Sequence, residues 1–267
     1  MIGAMRHLLI AALLWSLAPA MAKAQAPHPT HDPPGPEPTQ PNVIPQPGWP
    51  KPVMDQALYR MVLFELLEVA PASGGIEWDM AGWYGGDYDR LWIKSEGALG
   101  PAFQGGDVEV QALYGRLVAP FYDFQIGLRM DRSWDEGPQA SRLLGAIGLQ
   151  GLAPYWFEVE PVLFVSPQGQ LSARLTASRE LLLTQRTILE GRFETNAAWQ
   201  RAEAFGVGAG LNDLSLGLRL RHELRRELAP YVGLTWERRF GETAALAAAR
   251  GELAGGFSLV AGARIWY

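Results

Sequence analysis

The chain has 267 residues, none of them cysteine, with 28 acidic against 23 basic side chains and a formal net charge of -5. That balance argues against nucleic acid as a main partner, which needs a basic surface, and the lack of thiols excludes disulfides, thiolate metal sites and a lipid on an N-terminal cysteine. Thirty glycines and ten tryptophans in a 48% hydrophobic chain favour an all-β protein with many turns.

Arg6 and His7 precede the apolar run Leu8 to Leu17, followed by Pro19 and the small-x-small triplet Ala22-Lys23-Ala24. This pattern predicts a secretory signal peptide over residues 1–24, with the mature chain starting at Gln25. The apolar run is too short to span a bilayer as a retained helix, and no later stretch approaches the ~20 apolar residues a transmembrane helix needs. Residues 25–53 are rich in proline and lack periodic apolar positions. Such a segment is expected to be a disordered or polyproline-like tether in the periplasm. It carries His28, His31 and Asp32, two imidazoles beside a carboxylate that suit a transition metal. Two histidines in such a tail more often serve only as solubilising groups.

From about Ala57 the chain alternates with a period of two. Strands are read near 57–69, 76–84, 88–97, 107–118, 122–133, 141–152, 155–166, 170–183, 187–199, 213–224, 230–240 and 256–267. The clearest is the hairpin around Gly85-Gly86-Asp87. There Arg90, Trp92, Lys94 and Glu96 share one face, with Leu91, Ile93 and Ser95 on the other. Tight turns alternate with mostly longer, Gly-rich connections, of which 98–106, 134–140, 200–212 and 241–255 are the longest. An even strand number with short turns at one end and loops at the other predicts a closed antiparallel transmembrane β-barrel of about twelve strands.

Alternation alone also fits a soluble β-sandwich. Three features favour the barrel. The last strand, FSLVAGARIWY, is amphipathic and closes on an aromatic residue. Aromatics recur at strand ends, among them Tyr84, Tyr114, Phe121, Tyr155, Trp156 and Trp236. Finally, one face is densely charged. Burying an unpaired ion costs several kcal/mol even after relaxation, so these charges need a wet lumen rather than a dry core. Arg90, Lys94, Arg129, Arg192, Arg219 and Arg221 are expected to pair across that lumen with Glu96, Glu158, Glu160, Glu190, Glu194 and Glu237. Bulky residues, Trp83, Trp92 and Arg174 among them, would nearly fill so narrow an interior. Leu91, Ile93, Ile126, Leu128, Val159, Leu163, Leu216, Leu218 and Leu234 are placed on the lipid side. Glu65 and Asp79 are placed inward near the long-loop end, where they offer oxygen ligands to a cation.

Catalysis finds little support in the residues. The one histidine after the tail, His222, has Leu220 and Leu224 as its same-face neighbours, so no serine nucleophile stands beside it. Glu158 and Glu160 share a face and suit a two-carboxylate mechanism, but charged ladders are the ordinary filling of narrow barrels. No phosphate loop, GxSxG elbow or HExxH occurs. The reading is therefore non-catalytic, with a narrow general porin or structural barrel as the alternative and an outer-membrane hydrolase behind it.

GGDYDRLWIKSEG (Gly85 to Gly97), QGLAPYWFEVEPVLFVSPQG (Gln150 to Gly169), LLLTQRTIL (Leu181 to Leu189) and GLRLRHELRRELAPYVGLTWERRFG (Gly217 to Gly241) resemble the copper resistance protein B family. The resemblance runs in order from about Met54 to Tyr267. It implies an outer-membrane barrel over 54–267 that binds copper and contributes to resistance alongside a periplasmic copper oxidase or copper carrier. The family often carries Met- and His-rich repeats before the barrel, where this chain is Pro-rich, and usually has tyrosine where this chain has His222. That histidine is read as an interfacial residue on the lipid-facing side. With no cysteine and few methionines, the donors are oxygen and imidazole, which favour weak binding of Cu(II) over Cu(I). No organic cofactor is expected.

Overall fold

The structure, a computed structural model, describes residues 57–70, 74–101, 105–134 and 139–267. The expected signal peptide and Pro-rich segment, with His28, His31 and Asp32, lie outside the described residues. Twelve strands run as β1 (Tyr59–Ala70), β2 (Gly75–Gly85), β3 (Asp89–Leu99), β4 (Gly106–Ala119), β5 (Tyr122–Trp134), β6 (Ala140–Ala153), β7 (Phe157–Val165), β8 (Leu171–Leu182), β9 (Thr187–Ala198), β10 (Gly210–His222), β11 (Leu228–Arg239) and β12 (Gly255–Trp266). Each pairs antiparallel with its sequence neighbours, and β1 closes on β12.

The period of two is written directly into exposure. Along β4, Glu109, Gln111 and Leu113 are buried while Val110 and Tyr114 are exposed. Leu91, Leu128, Leu163 and Leu218 are all more than half exposed on the outer wall, whereas Lys94, Arg129, Arg219 and Arg221 are buried inside. This is the reverse of a soluble protein, and a bilayer is the solvent that suits it. We expect the mature protein to be monodisperse only in detergent or lipid. Size-exclusion chromatography checks this, and a monodisperse β-rich species in plain buffer would contradict the membrane placement.

Wall geometry depends on glycines, two of which lie under tryptophan rings. Trp78 lies over Gly97, its cross-strand partner, so closely that a Cβ on that glycine would sit 2.5 Å from the indole ring. Trp92 covers Gly115 in the same way on the inner face, where an added Cβ would lie 2.7 Å from Nε1. The tight turns use non-glycine residues in left-handed conformation: Phe121 at φ 70°, Tyr155 at 66° and Trp156 at 64°. Each costs on the order of 1–3 kcal/mol, and each projects a ring that is at least 71% exposed at the short-turn rim. Rings there match an interfacial aromatic girdle.

Two departures from strict alternation matter. In β1, Phe64 pairs with Met80 but Leu66 pairs with Asp79, so Glu65 is an extra, bulged residue. The β11–β12 connection, expected as an irregular loop over 241–255, contains helix α1 (Gly241–Ala249), whose alanines favour a helix intrinsically. The closing seam is also short. β1 and β12 meet at Leu63↔Trp266, Phe64↔Ile265, Glu68↔Gly262 and Val69↔Ala261, with an irregularity between, and reciprocal backbone bonds join Val62 and Tyr267 at 2.9 and 2.8 Å.

Candidate functional site in the barrel lumen

The interior is crossed by side chains from opposite strands, and it divides into two kinds of surface. On the β3–β7 wall, Trp92, Leu113, Leu144, Ala146, Val162 and Phe164 form a buried apolar cluster with Trp83 against it. Cations lie over its rings: Arg90 at 4.8 Å from Trp83, Lys94 at 5.6 Å from Trp92, and Arg129 at 4.3 Å from Phe164. A desolvated cation over an aromatic face is stabilised by the ring quadrupole. The apolar patch therefore also positions the charged groups.

Three struts cross the lumen between strands far apart in the ring. Lys94 on β3 reaches Glu160 on β7 at 2.5 Å and also donates to Gln125 and Gln150. Arg174 on β8 holds Glu96 on β3 at 2.7 Å and Glu109 on β4 at 2.8 Å. Arg192 on β9 holds Asp79 on β2 at 2.6 Å and Glu65 on β1 at 3.3 Å. Wall-side pairs complete the filling: Arg129 with Asp131 and Glu109, Arg142 with Asp131, Arg219 with Glu68, Arg221 with Glu180 and Glu190, and Arg90 with Asp123.

The sequence-predicted residues thus meet partly different partners. Lys94–Glu160 and Arg221–Glu190 come together, and Arg192 has Glu194 at 3.7 Å beyond its closer acidic partners. Glu96 and Glu194 both lie within reach of Arg174. Among the described residues, Glu158 and Glu237 make no ion pair. Glu65 and Asp79 sit near the middle of their strands rather than near the loop end, and Arg192 occupies both. Glu68 is invisible to parity, because counting by twos from Glu65 puts it on the lipid side. The bulge turns it inward, where it is buried and 2.5 Å from Arg219. Glu109, Asp123 and Asp131 do carry a signal, the parity they share with Gln111, Gln125 and Arg129. His222 faces outward and bonds Thr187 Oγ1 at 3.0 Å through Nδ1.

Loops cover part of the loop-side mouth. Thr243 of α1 is buried and accepts hydrogen bonds from the Gly208 backbone N–H and from Asn212 Nδ2, tying the helix to the β9–β10 connection. That connection turns at Gly206 in left-handed conformation and lays Phe205 over Arg142 at 4.2 Å. Below lies a cavity of about 890 Å³ lined by Glu77, Asp79, Asp213, Thr235 and Glu237 among others. No group of three or more His, Cys, Asp or Glu side chains among the described residues is arranged to hold a metal ion.

Residues 58–267 match the family described as Copper resistance protein B precursor (CopB). The chain belongs to the copper resistance protein B family. It is 40% identical over 217 residues to copper resistance protein B of Escherichia coli, covering 80% of this chain and 72% of that protein. A copper resistance protein B homolog of Pseudomonas syringae pv. tomato is 39% identical over the same length and coverage. Among solved structures, the NanC porin superposes with a TM-score of 0.49 at 12% identity, covering 78% of this chain and 99% of its own. Family membership and the apolar outer wall together make this an outer-membrane barrel of copper resistance.

Proposed function

We propose that the barrel binds Cu(II) weakly and helps keep periplasmic copper low, without itself oxidising the metal or hydrolysing a substrate. Membership of the copper resistance protein B family across the whole barrel carries this reading. The donor set supports it: with no cysteine, copper must be held by carboxylate and imidazole, which suit Cu(II). The periplasmic tail, with His28, His31 and Asp32, is the favoured collecting site, because the lumen alternative of Glu65 and Asp79 is already ion-paired with Arg192. A periplasmic copper oxidase or copper carrier is the partner that would consume or deliver the ion. The ion pairs that cross the lumen disfavour a general porin.

Removing residues 25–53 is expected to abolish most Cu(II) binding by the purified protein, measured by equilibrium dialysis. Undiminished binding would move the site to the lumen carboxylates. Deleting the gene is expected to raise copper sensitivity while sugar permeability, read by liposome swelling of the purified barrel, stays low. Wild-type copper tolerance in the deletion strain, with no copper on the intact protein, would overturn the proposal.

A further inference from the structure

One charge on the outer wall has no counterpart. By the alternation of β8, Arg179 shares a face with Leu175 and Leu181, both exposed, while Arg174 and Glu180 reach partners in the lumen. The nearest carboxylates in sequence and register, Glu180 and Glu158, are thereby turned inward, and Glu180 is taken by Arg221. Arg179 makes no ion pair or side-chain hydrogen bond among the described residues. Other outward arginines are placed differently. Arg116 has Asp89 at 3.9 Å and Arg132 donates to Gln139 at 3.0 Å. Arg60 and Arg238 stand one residue from a strand end, whereas Arg179 lies three residues inside β8.

Two further features mark the same spot. The guanidinium lies 5.2 Å from the Phe157 ring, at the foot of β7, directly after the turn whose exposed Tyr155 and Trp156 rings stand at the short-turn rim. The charge is thus held against the aromatic girdle, the level at which lipid headgroups begin. On the other side its ladder partner is Gly191, where an added Cβ would meet nothing within 4 Å. The wall is bare there, and a group from the bilayer can reach the guanidinium over it. Without a protein acceptor the N–H donors of Arg179 are unmet, and hydrocarbon offers them nothing. We propose that Arg179, Phe157 and Gly191 form a binding site for the phosphate of an anionic glycerophospholipid in the short-turn leaflet. A planar guanidinium takes two phosphate oxygens at once. Arg186, exposed in the turn of the same hairpin, adds positive charge. Together they favour a headgroup of net negative charge over a zwitterionic one, whose ammonium they repel. The site rests on the membrane placement of the wall and not on the copper reading.

The test uses the full mature protein in a neutral detergent. Phosphatidylglycerol is added at defined ratios, with phosphatidylcholine as the comparison, and native mass spectrometry counts the lipids bound. Wild-type protein is expected to retain phosphatidylglycerol in preference to phosphatidylcholine, and inorganic phosphate is expected not to displace it. Arg179→Leu is expected to weaken phosphatidylglycerol binding by about tenfold, as for the loss of a charge-assisted hydrogen bond, and to remove the preference. Gly191→Leu keeps the charge but fills the bare wall, and is expected to weaken binding as well. Arg238→Leu, at the loop side, is expected to leave it unchanged. A heat-modifiable gel shift confirms folding, and if Arg179→Leu does not fold, Arg179→Gln and Gly191→Leu carry the comparison. Equal binding of the two lipids by the wild type overturns the proposal. So does a preference that the folded Arg179 and Gly191 variants keep, or that Arg238→Leu loses equally. Displacement by inorganic phosphate overturns it too, since the site would then take a free anion rather than a lipid.

Discussion

Replacing Arg174 by leucine is expected to destabilise the folded barrel by about 3–5 kcal/mol, the range for removing one partner of a buried ion pair. Arg174 is the most heavily engaged strut, with Glu96 at 2.7 Å, Glu109 at 2.8 Å, Glu194 at 3.7 Å and Asn196 Oδ1 at 3.1 Å. Its side chain is 12% exposed and its guanidinium lies 5.8 Å from the Phe164 ring. Leucine supplies apolar volume but leaves Glu96 and Glu109 facing one another with less positive charge between them. Arg174→Lys keeps a charge but not the fork that serves two carboxylates at once, so it should fall between. Adding Glu96→Gln to Arg174→Leu should recover part of the loss, because Glu96 has its ion pair with Arg174 alone among the described residues while Glu109 keeps Arg129 at 2.7 Å, and the cost lies in stranded charge rather than in lost packing. Urea unfolding in lipid vesicles, followed by tryptophan fluorescence, measures the series. A wild-type midpoint for Arg174→Leu would mean that the strut contributes nothing.

Placing arginine at Leu218 is expected to cost about 2–4 kcal/mol, as for a charge on the lipid face near the bilayer midplane. Leu218 is 51% exposed, lies near the middle of β10, and faces Leu234 and Gly191 across its two ladders. Its neighbour Arg219 is buried in the lumen. Adjacent positions therefore carry opposite rules, arginine required at one and excluded at the next. The same unfolding assay reads the effect, and Leu218→Ala should change stability far less. Tolerance of arginine at 218 would reverse the inside–outside assignment.

The wall of this protein is readable from its sequence because a strand between lipid and lumen must alternate at every step. Leu91, Ile93, Leu218 and Leu234 fall outward and Lys94, Arg129 and Arg219 inward by that rule alone. The lumen is less readable. Parity says which residues point inward, but not which of several carboxylates an arginine reaches across a 12-strand ring. Arg174 and Glu109 are 65 residues apart in sequence and meet only because β4 and β8 lie across the lumen from one another. Glu68 was hidden for a different reason: a single bulged residue, Glu65, reverses the count within β1. Helix α1 has few polar residues to mark a face, so its sequence reads as connection until Thr243 is seen fastened to Gly208 and Asn212.

The seam between β1 and β12 bears on the order in which the barrel assembles. Every other ladder joins strands that follow one another in the chain, so each zips from its own turn with little loop-closure entropy. β1 and β12 have no such turn. They stand at opposite ends of the barrel sequence and pair over fewer positions than the flanking ladders β1–β2 and β11–β12. An open, curled sheet is therefore the natural precursor, and the final event is a zipper that waits for its two ends to meet. Backbone amides along Leu63, Phe64, Ile265 and Trp266 should then exchange with solvent deuterium ahead of those in β4 and β5, since the last ladder to form is the first to breathe.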